Sequence, residues 1–334
     1  MATTTRARPT ARKPTARRTA TPRRLDVAGK ARTTVNIGGK ELTFSNLGKV
    51  LYPQTGFTKG DVIDYYLRVS EWMLPQVRHF PVTLKRYPNG VDQDFFYEKR
   101  CPVNGRPSWV ETVHFTAKTS PIEFCVINNV QTLCWLANLA ALELHILLAH
   151  GDAQDRPRMM VFDLDPGAPA TIVDCARLAI EMRALLADLG LESLVKTSGS
   201  KGLHLYVPLN TPTTFDETKA FARAMAMTLE RRFPDRVTSV MAKDQRPGKV
   251  FVDWSQNDRI KTTAAVYSLR ARPTPTVSTP VTWKEVASAA RSRSRGPDAL
   301  SFTAPQVLAR LRDHGDLFAP LLALRQELPS LQTA

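Results

Sequence analysis

Hydrophobic positions recur along this chain with two periods. Val62, Tyr65, Tyr66, Val69, Trp72 and Met73 fall three and four residues apart, which places them on one face of a helix over 58–74, with Thr58 where an N-cap belongs. The same spacing predicts helices over 171–189 and 215–232, shorter ones over 283–290 and 304–314, and a long apolar helix over 130–148. Short runs of β-branched and aromatic residues predict strands over 82–86, 122–127, 159–165, 193–197, 203–207, 237–241, 249–253 and 265–269. Gly38-Gly39 inside 34–44 signals a hairpin turn. Helices and strands interleave without strict βαβ alternation and without an internal repeat, so an α+β or mixed α/β fold is expected rather than a barrel.

Composition sharpens this. A chain of 334 residues, 43% hydrophobic and 23% charged, can bury a large core as a soluble protein. It has no apolar run long enough to span a bilayer and no apolar segment of a secretory leader near its start. The net charge of +15 is concentrated at one end: residues 1–34 hold ten Lys or Arg against Asp26 alone. That segment, rich in Thr, Ala and Pro and without aromatic residues, is expected to be a disordered basic tail. Phosphate neutralisation makes it a non-specific nucleic-acid arm; a solubilising extension and a targeting peptide are the other readings. Cys101, Cys125, Cys134 and Cys175 show no CxxC spacing and lie in or beside apolar runs, so buried reduced thiols are expected and no zinc site.

The chemistry concentrates in three places. The apolar stretch Met159-Met160-Val161-Phe162 runs into Asp163-Leu164-Asp165, and strand alternation points both carboxylates the same way. Like charges side by side repel, and a hard divalent cation relieves them. A second apolar strand ends in Asp253; if the two strands are neighbours, three carboxylates cluster as a two-metal site suited to phosphoryl or nucleotidyl transfer. Taken alone, Asp253 reads as a strand-end or capping acid, and the Asp163/Asp165 pair as a structural cation site or a phosphatase nucleophile. Between them, Thr197-Ser198-Gly199-Ser200-Lys201-Gly202-Leu203-His204 offers backbone N–H groups, hydroxyls and a lysine to an anion, with His204 turned to the same site, although the Walker spacing is absent.

The segments FDLDPG, TSGSKGLHLY and KVFVDWSQN resemble, in this order, the polymerase domain of bacterial ligase D, a member of the archaeo-eukaryotic primase superfamily that acts in non-homologous end joining. LGKVLYPQTGFTKGDVIDYY, LKRYPNGVDQDFFYEKR, ANLAALELH and AAVYSLRARPTPTV extend the resemblance over residues 35–280. It implies a primase-like core of two packed α/β modules around a central cleft, spanning 35–300, with 301–334 as a C-terminal helical extension. It also implies roles. Asp163, Asp165 and Asp253 would hold two divalent ions, Mn²⁺ or Mg²⁺. His145, Ser198, Lys201, Gly202, His204 and Arg270 would contact the NTP or dNTP. Phe95 and Phe96 would stack on base or template, Phe96 beside the nucleotide. Lys49 and Lys59 would grip the 5′-phosphate across a gap. The implied activity is template-dependent filling of gaps or extension of broken DNA ends, with ribonucleotides preferred, in the bacterial cytoplasm at the nucleoid and away from membranes.

The resemblance has departures. The ELH segment continues Ile-Leu-Leu instead of the proline and tryptophan common in the family, and the connection from His145 to Asp163 is short. No KxDG ligase motif or nuclease module is visible, which implies a stand-alone polymerase whose partners would be the Ku end-binding protein and a separate ATP-dependent ligase. The competing reading is a non-catalytic end-binding or bridging module that recruits a ligase; three acids near phosphates argue against it. A haloacid-dehalogenase-type phosphatase is disfavoured by Gly167, where that family carries Thr or Val.

Overall fold

The structure, a computed structural model, describes residues 32–116, 120–292 and 299–329. The basic tail therefore lies outside the described residues, apart from Arg32–Thr34, which belong to the first strand. The first half of the chain forms β1 (Arg32–Ile37), β2 (Lys40–Ser45), β3 (Val50–Tyr52), β4 (Phe57–Thr58), α1 (Lys59–Val77), β5 (Pro81–Arg86), β6 (Phe96–Glu98), β7 (Thr112–Thr116), β8 (Pro121–Val126), α2 (Val130–Asn138) and β9 (Ala141–Ile146). The second half forms β10 (Met159–Pro166), α3 (Ile172–Asp188), β11 (Leu194–Thr197), β12 (Leu203–Pro208), α4 (Phe215–Arg232), β13 (Val237–Thr238), β14 (Val250–Asp253), β15 (Thr263–Ala264), β16 (Pro280–Val281), α5 (Trp283–Ala290), α6 (Ala304–His314) and α7 (Pro320–Ala323).

Two six-stranded sheets organise these elements. One runs β15-β9-β5-β8-β7, with β6 also paired to β5; the other runs β13-β14-β10-β12-β11-β16. Each has its own core. Tyr65, Tyr66, Val69, Leu142 and Leu144 anchor the first, which α6 and α7 join through Val307, Leu308, Leu311 and Leu321. Phe162, Leu164, Leu205, Val252 and Met182 anchor the second. A cavity of about 440 Å³ is lined from both sheets, by Thr83 and His145 of one and Asp163, Asp165 and His204 of the other. This is the mixed α/β, two-module arrangement expected from the sequence.

Local signals account for most boundaries. Thr58 and Asp61 form a reciprocal capping box, Asp61 N donating to Thr58 Oγ1 at 3.2 Å and Thr58 N to Asp61 Oδ2 at 2.8 Å, so α1 starts at Lys59. The hairpin turns at Gly38 and Gly39, both with positive φ.

The apolar stretch 130–148 is not one helix. α2 ends at Asn138, Ala140 takes φ +57°, and the chain reverses into β9 beside β5, where His145 pairs with Thr83 and Glu143 with Lys85. A run apolar on every side carries no period that separates buried helix from buried strand. Residues 265–269, expected as a strand, are a turn segment in which Tyr267 has φ +64°, and only Thr263–Ala264 pair with β9. Cys101 and Cys125 form a disulfide rather than two thiols, because the segment after β6 lies against β8, with Cys101 N donating to Glu123 O at 2.7 Å. Cys134 and Cys175 are buried thiols as expected.

Candidate active site

The antiparallel register of the second sheet sets out the charged groups. On β14, Asp253 stands opposite Asp163 of β10; on the other side His204 of β12 stands opposite Asp163; and Lys196 of β11 stands opposite His204. Directly opposed residues share a face, so Asp253, Asp163, His204 and Lys196 form one row across four strands, with Asp165 two residues further along the same face of β10.

This row is electrostatically loaded. Burial, then the nearby Asp253 charge, pushes the Asp163 carboxyl up to about 6; burial, then Asp163 itself, does the same to Asp165. Asp163 Oδ1 lies 3.3 Å from His204 Nε2, yet the contact is not aligned as a hydrogen bond, and Oδ1 is buried without one. The facing carboxylate places the His204 ring proton on Nε2. Nδ1 then accepts from Lys196 Nζ at 3.0 Å, while the same amine donates to Ala264 O at 2.9 Å and to Ser278 Oγ. Burial, reinforced by Lys196, lowers the His204 pKa well below its usual value, so the imidazole is neutral.

Asp253 has a second task. Its Oδ1 accepts from Ser255 N at 2.9 Å and from Ser255 Oγ at 2.6 Å, and its Oδ2 from Gln256 Nε2 at 3.1 Å, capping a 3₁₀ turn over Trp254–Gln256. Among the described residues, no three acidic, imidazole or thiol groups converge closely enough to hold a metal as they stand. The donor set nevertheless fits a hard divalent cation. Burial, with the neighbouring carboxylate charges second, raises both Asp163 and Asp165 to about 6, and a buried carboxylate oxygen lacks a hydrogen bond.

The Ser198–His204 loop differs from expectation in where its N–H groups point. Ser200 N and Gly202 N donate to Ser198 Oγ at 3.2 and 3.1 Å, and Ser198 N donates to Gly202 O at 2.9 Å, so these donors close the loop on itself instead of facing an anion. Gly202 is required sterically: a Cβ there would stand 1.9 Å from Leu164 O. Ser198, Ser200 and His204 line the cavity, whereas Gly202 shapes the loop and Lys201 is exposed beyond the lining. Arg270 reaches the same cavity, anchored by its Nη1 on Ser198 O. Asp253 adjoins the cavity through the register of β14 without lining it.

The remaining expected residues sit on the first module. Lys59, at the first turn of α1, is only 7% exposed, and burial together with Lys49 and Arg86 lowers its pKa to about 8. Lys49 Nζ donates to Asn89 Oδ1 at 2.8 Å. Phe95, Phe96 and Tyr97 are 44–58% exposed, which is unusual for three consecutive large rings. Phe95 is tilted against Tyr87 at a centroid distance of 5.2 Å with Lys85 Nζ 4.0 Å from its centre, and the Arg86 guanidinium lies 5.0 Å from Phe96.

Two contributors were missed in the sequence, Lys196 and Glu143. Lys196 carried a signal, a lysine in the otherwise uncharged Leu194–Thr197 strand. Glu143 did not, because a helical reading turns it away from His145, whereas β9 puts both on one face.

A family model described as the primase-polymerase domain of LigD matches residues 58–318. The chain is 44% identical over 285 residues to the multifunctional non-homologous end joining protein LigD of Mycolicibacterium smegmatis, covering 84% of this chain and 36% of that protein. It is 32% identical over 290 residues to the bifunctional non-homologous end joining protein LigD of Bacillus subtilis, covering 86% of this chain and 45% of that protein. It therefore spans less than half the length of these relatives. A solved structure of the polymerase domain from Mycobacterium tuberculosis ligase D in complex with DNA superposes with a TM-score of 0.78 at 41% identity, covering 85% of this chain and 99% of that one. With more than three quarters of its length matched by the family model and most of it superposing on that structure, the chain belongs to the LigD primase-polymerase domain family.

Proposed function

We propose that the chain catalyses template-dependent nucleotidyl transfer, filling short gaps or extending broken ends in DNA repair by non-homologous end joining. The row Asp253–Asp163–His204 beside Asp165, with a buried carboxylate oxygen left without a hydrogen bond, carries this reading. Asp163, Asp165 and Asp253 would hold two divalent ions, Mn²⁺ or Mg²⁺. Bound there, such ions supply charge neutralisation for attack of a primer 3′-hydroxyl on a nucleoside triphosphate and for departure of pyrophosphate. His204, neutral and braced by Lys196, orients Asp163.

His145 and Ser198, which line the cavity, would contact the ribose, and Arg270 would offer its planar donors to the triphosphate, joined by the exposed Lys201. Ribonucleotides are the preferred substrate in this reading. Phe95 and Phe96 provide a sequence-tolerant stacking platform for template bases. Lys49 and Lys59 receive a 5′-phosphate: the Lys59 ammonium, buried and crowded by Lys49 and Arg86, gains most from a dianion. Residues 1–34 extend the grip on DNA through their charge. Ku and an ATP-dependent ligase are the partners this chemistry requires. The protein works in the cytoplasm at the nucleoid; no helix among the described residues is long and apolar enough to cross a membrane.

The test is primer extension on a gapped duplex with NTPs or dNTPs, in Mn²⁺ or Mg²⁺, with and without a 5′-phosphate at the far side of the gap. The reading requires metal-dependent incorporation stimulated by that phosphate. Tight binding of the gapped duplex without incorporation overturns it in favour of a bridging module.

A further inference from the structure

Glu143 is 3% exposed, yet it touches two residues of the cavity wall. Its Oε2 lies 2.9 Å from His145 Nε2 and 3.1 Å from Arg270 Nε, the second contact being an ion pair not aligned as a hydrogen bond. Its Oε1 accepts from Ala271 N at 3.0 Å. One carboxylate on β9 thus ties the strand carrying His145 to the segment carrying Arg270. Burial acts to raise its pKa, but the His145 hydrogen bond, the Arg270 charge and the Ala271 N–H together bring it down to about 2.

A carboxylate only accepts, so the imidazole nitrogen facing it carries the ring proton. Burial lowers the His145 pKa, so the ring is neutral with a single N–H. Nδ1 is then a bare acceptor, and no protein hydrogen bond among the described residues engages it, while the ring lines the cavity. We propose that Glu143 is a positioning residue: it locks His145 in the Nε2–H tautomer and steadies Arg270, so that His145 Nδ1 accepts a hydrogen bond from the sugar hydroxyl of the incoming nucleotide. This rests on the nucleotidyl-transfer reading. It makes Glu143, which would touch no substrate, a determinant of ribose over deoxyribose, because the hydroxyl concerned is the 2′-hydroxyl, which a deoxyribose lacks.

The experiment has two arms on the full chain. ¹⁵N NMR of the imidazoles, with His145→Ala for assignment, reads the tautomer in the unmutated protein and in Glu143→Gln. Single-nucleotide extension gives kcat/KM for NTP and dNTP in the unmutated protein, in each variant and in the double variant. The expected result is the Nε2–H tautomer in the unmutated protein and its loss in E143Q. The NTP-to-dNTP ratio should fall roughly threefold to tenfold in E143Q and in H145A, the worth of one hydrogen bond, with no further fall in the double variant. A proton on Nδ1 in the unmutated protein, or E143Q slowing NTP and dNTP equally, overturns the proposal. If the unmutated protein extends no primer, the nucleotidyl-transfer reading fails instead, and the tautomer comparison, which needs no activity and is read in an E143Q protein whose amide dispersion shows it folded, still decides whether Glu143 holds His145.

Discussion

Replacing Asp163 by Asn should make the metal-free protein more stable while abolishing its activity. The Asp163 carboxyl titrates near pH 6 rather than at a free aspartate's 3.8, from burial first and the Asp253 charge second. At about 1.4 kcal/mol per pH unit, holding it ionised in the fold at pH 7.5 costs up to ~3 kcal/mol. A group whose folded pKa is raised contributes its full stability below the unfolded value, here below pH 3.8, and loses it as pH rises to about 6. The advantage of Asp163→Asn should therefore be near zero at pH 3.5, grow through that window and level off above pH 6. Asp165 adds to it, because the Asp163 charge is among the causes that raise its own pKa. The assay is urea unfolding of EDTA-treated unmutated and D163N protein at several pH values, followed by Mn²⁺ addition. D163N should gain on the order of 1–3 kcal/mol at pH 7.5, and Mn²⁺ should stabilise the unmutated protein much more than the variant. A loss of stability in D163N that is the same at pH 4.5 and 7.5 would refute the claim that the paired acids are strained.

Two further outcomes follow from other parts of the structure. Lys59, its pKa lowered to about 8, loses its charge as pH rises through that value, so affinity for a 5′-phosphorylated end should weaken above pH 8; K59M should flatten this dependence and lower the preference for the 5′-phosphate about tenfold or more in competition gel shifts. Gly202→Ala forces a Cβ against Leu164 O, so the Ser198 loop cannot close; unfolding should show a loss of roughly 2–4 kcal/mol, and extension should suffer far more than duplex binding.

Much of this site was legible because its signals are local. The two aspartates at i and i+2 had to share a strand face. What depended on long-range pairing was not legible. The distance along the chain from Asp163 to Asp253 says nothing of β10 lying beside β14, and Asp253 indeed has the capping role that its strand-end position suggested, alongside its place in the row. The run 130–148 misled because every side of it is buried, and with it went the geometry that joins Glu143 to His145. The loop donors were counted correctly but their partners were not, since Ser198 Oγ takes two of them. The Cys101–Cys125 pair, 24 residues apart, is created by the packing of the segment after β6 on β8.

The central claim is that three carboxylates on two adjacent strands form one catalytic centre. It is tested most directly by single-nucleotide extension of a gapped, 5′-phosphorylated duplex in Mn²⁺, comparing the unmutated protein with D163N, D165N and D253N, and with S255A as a control for the capped turn. The account predicts extension by the unmutated protein and by S255A, and loss of at least about a thousandfold in each aspartate variant, with duplex binding within severalfold of normal. Extension by D253N at the rate of S255A would confine Asp253 to its capping role and contradict the three-carboxylate centre.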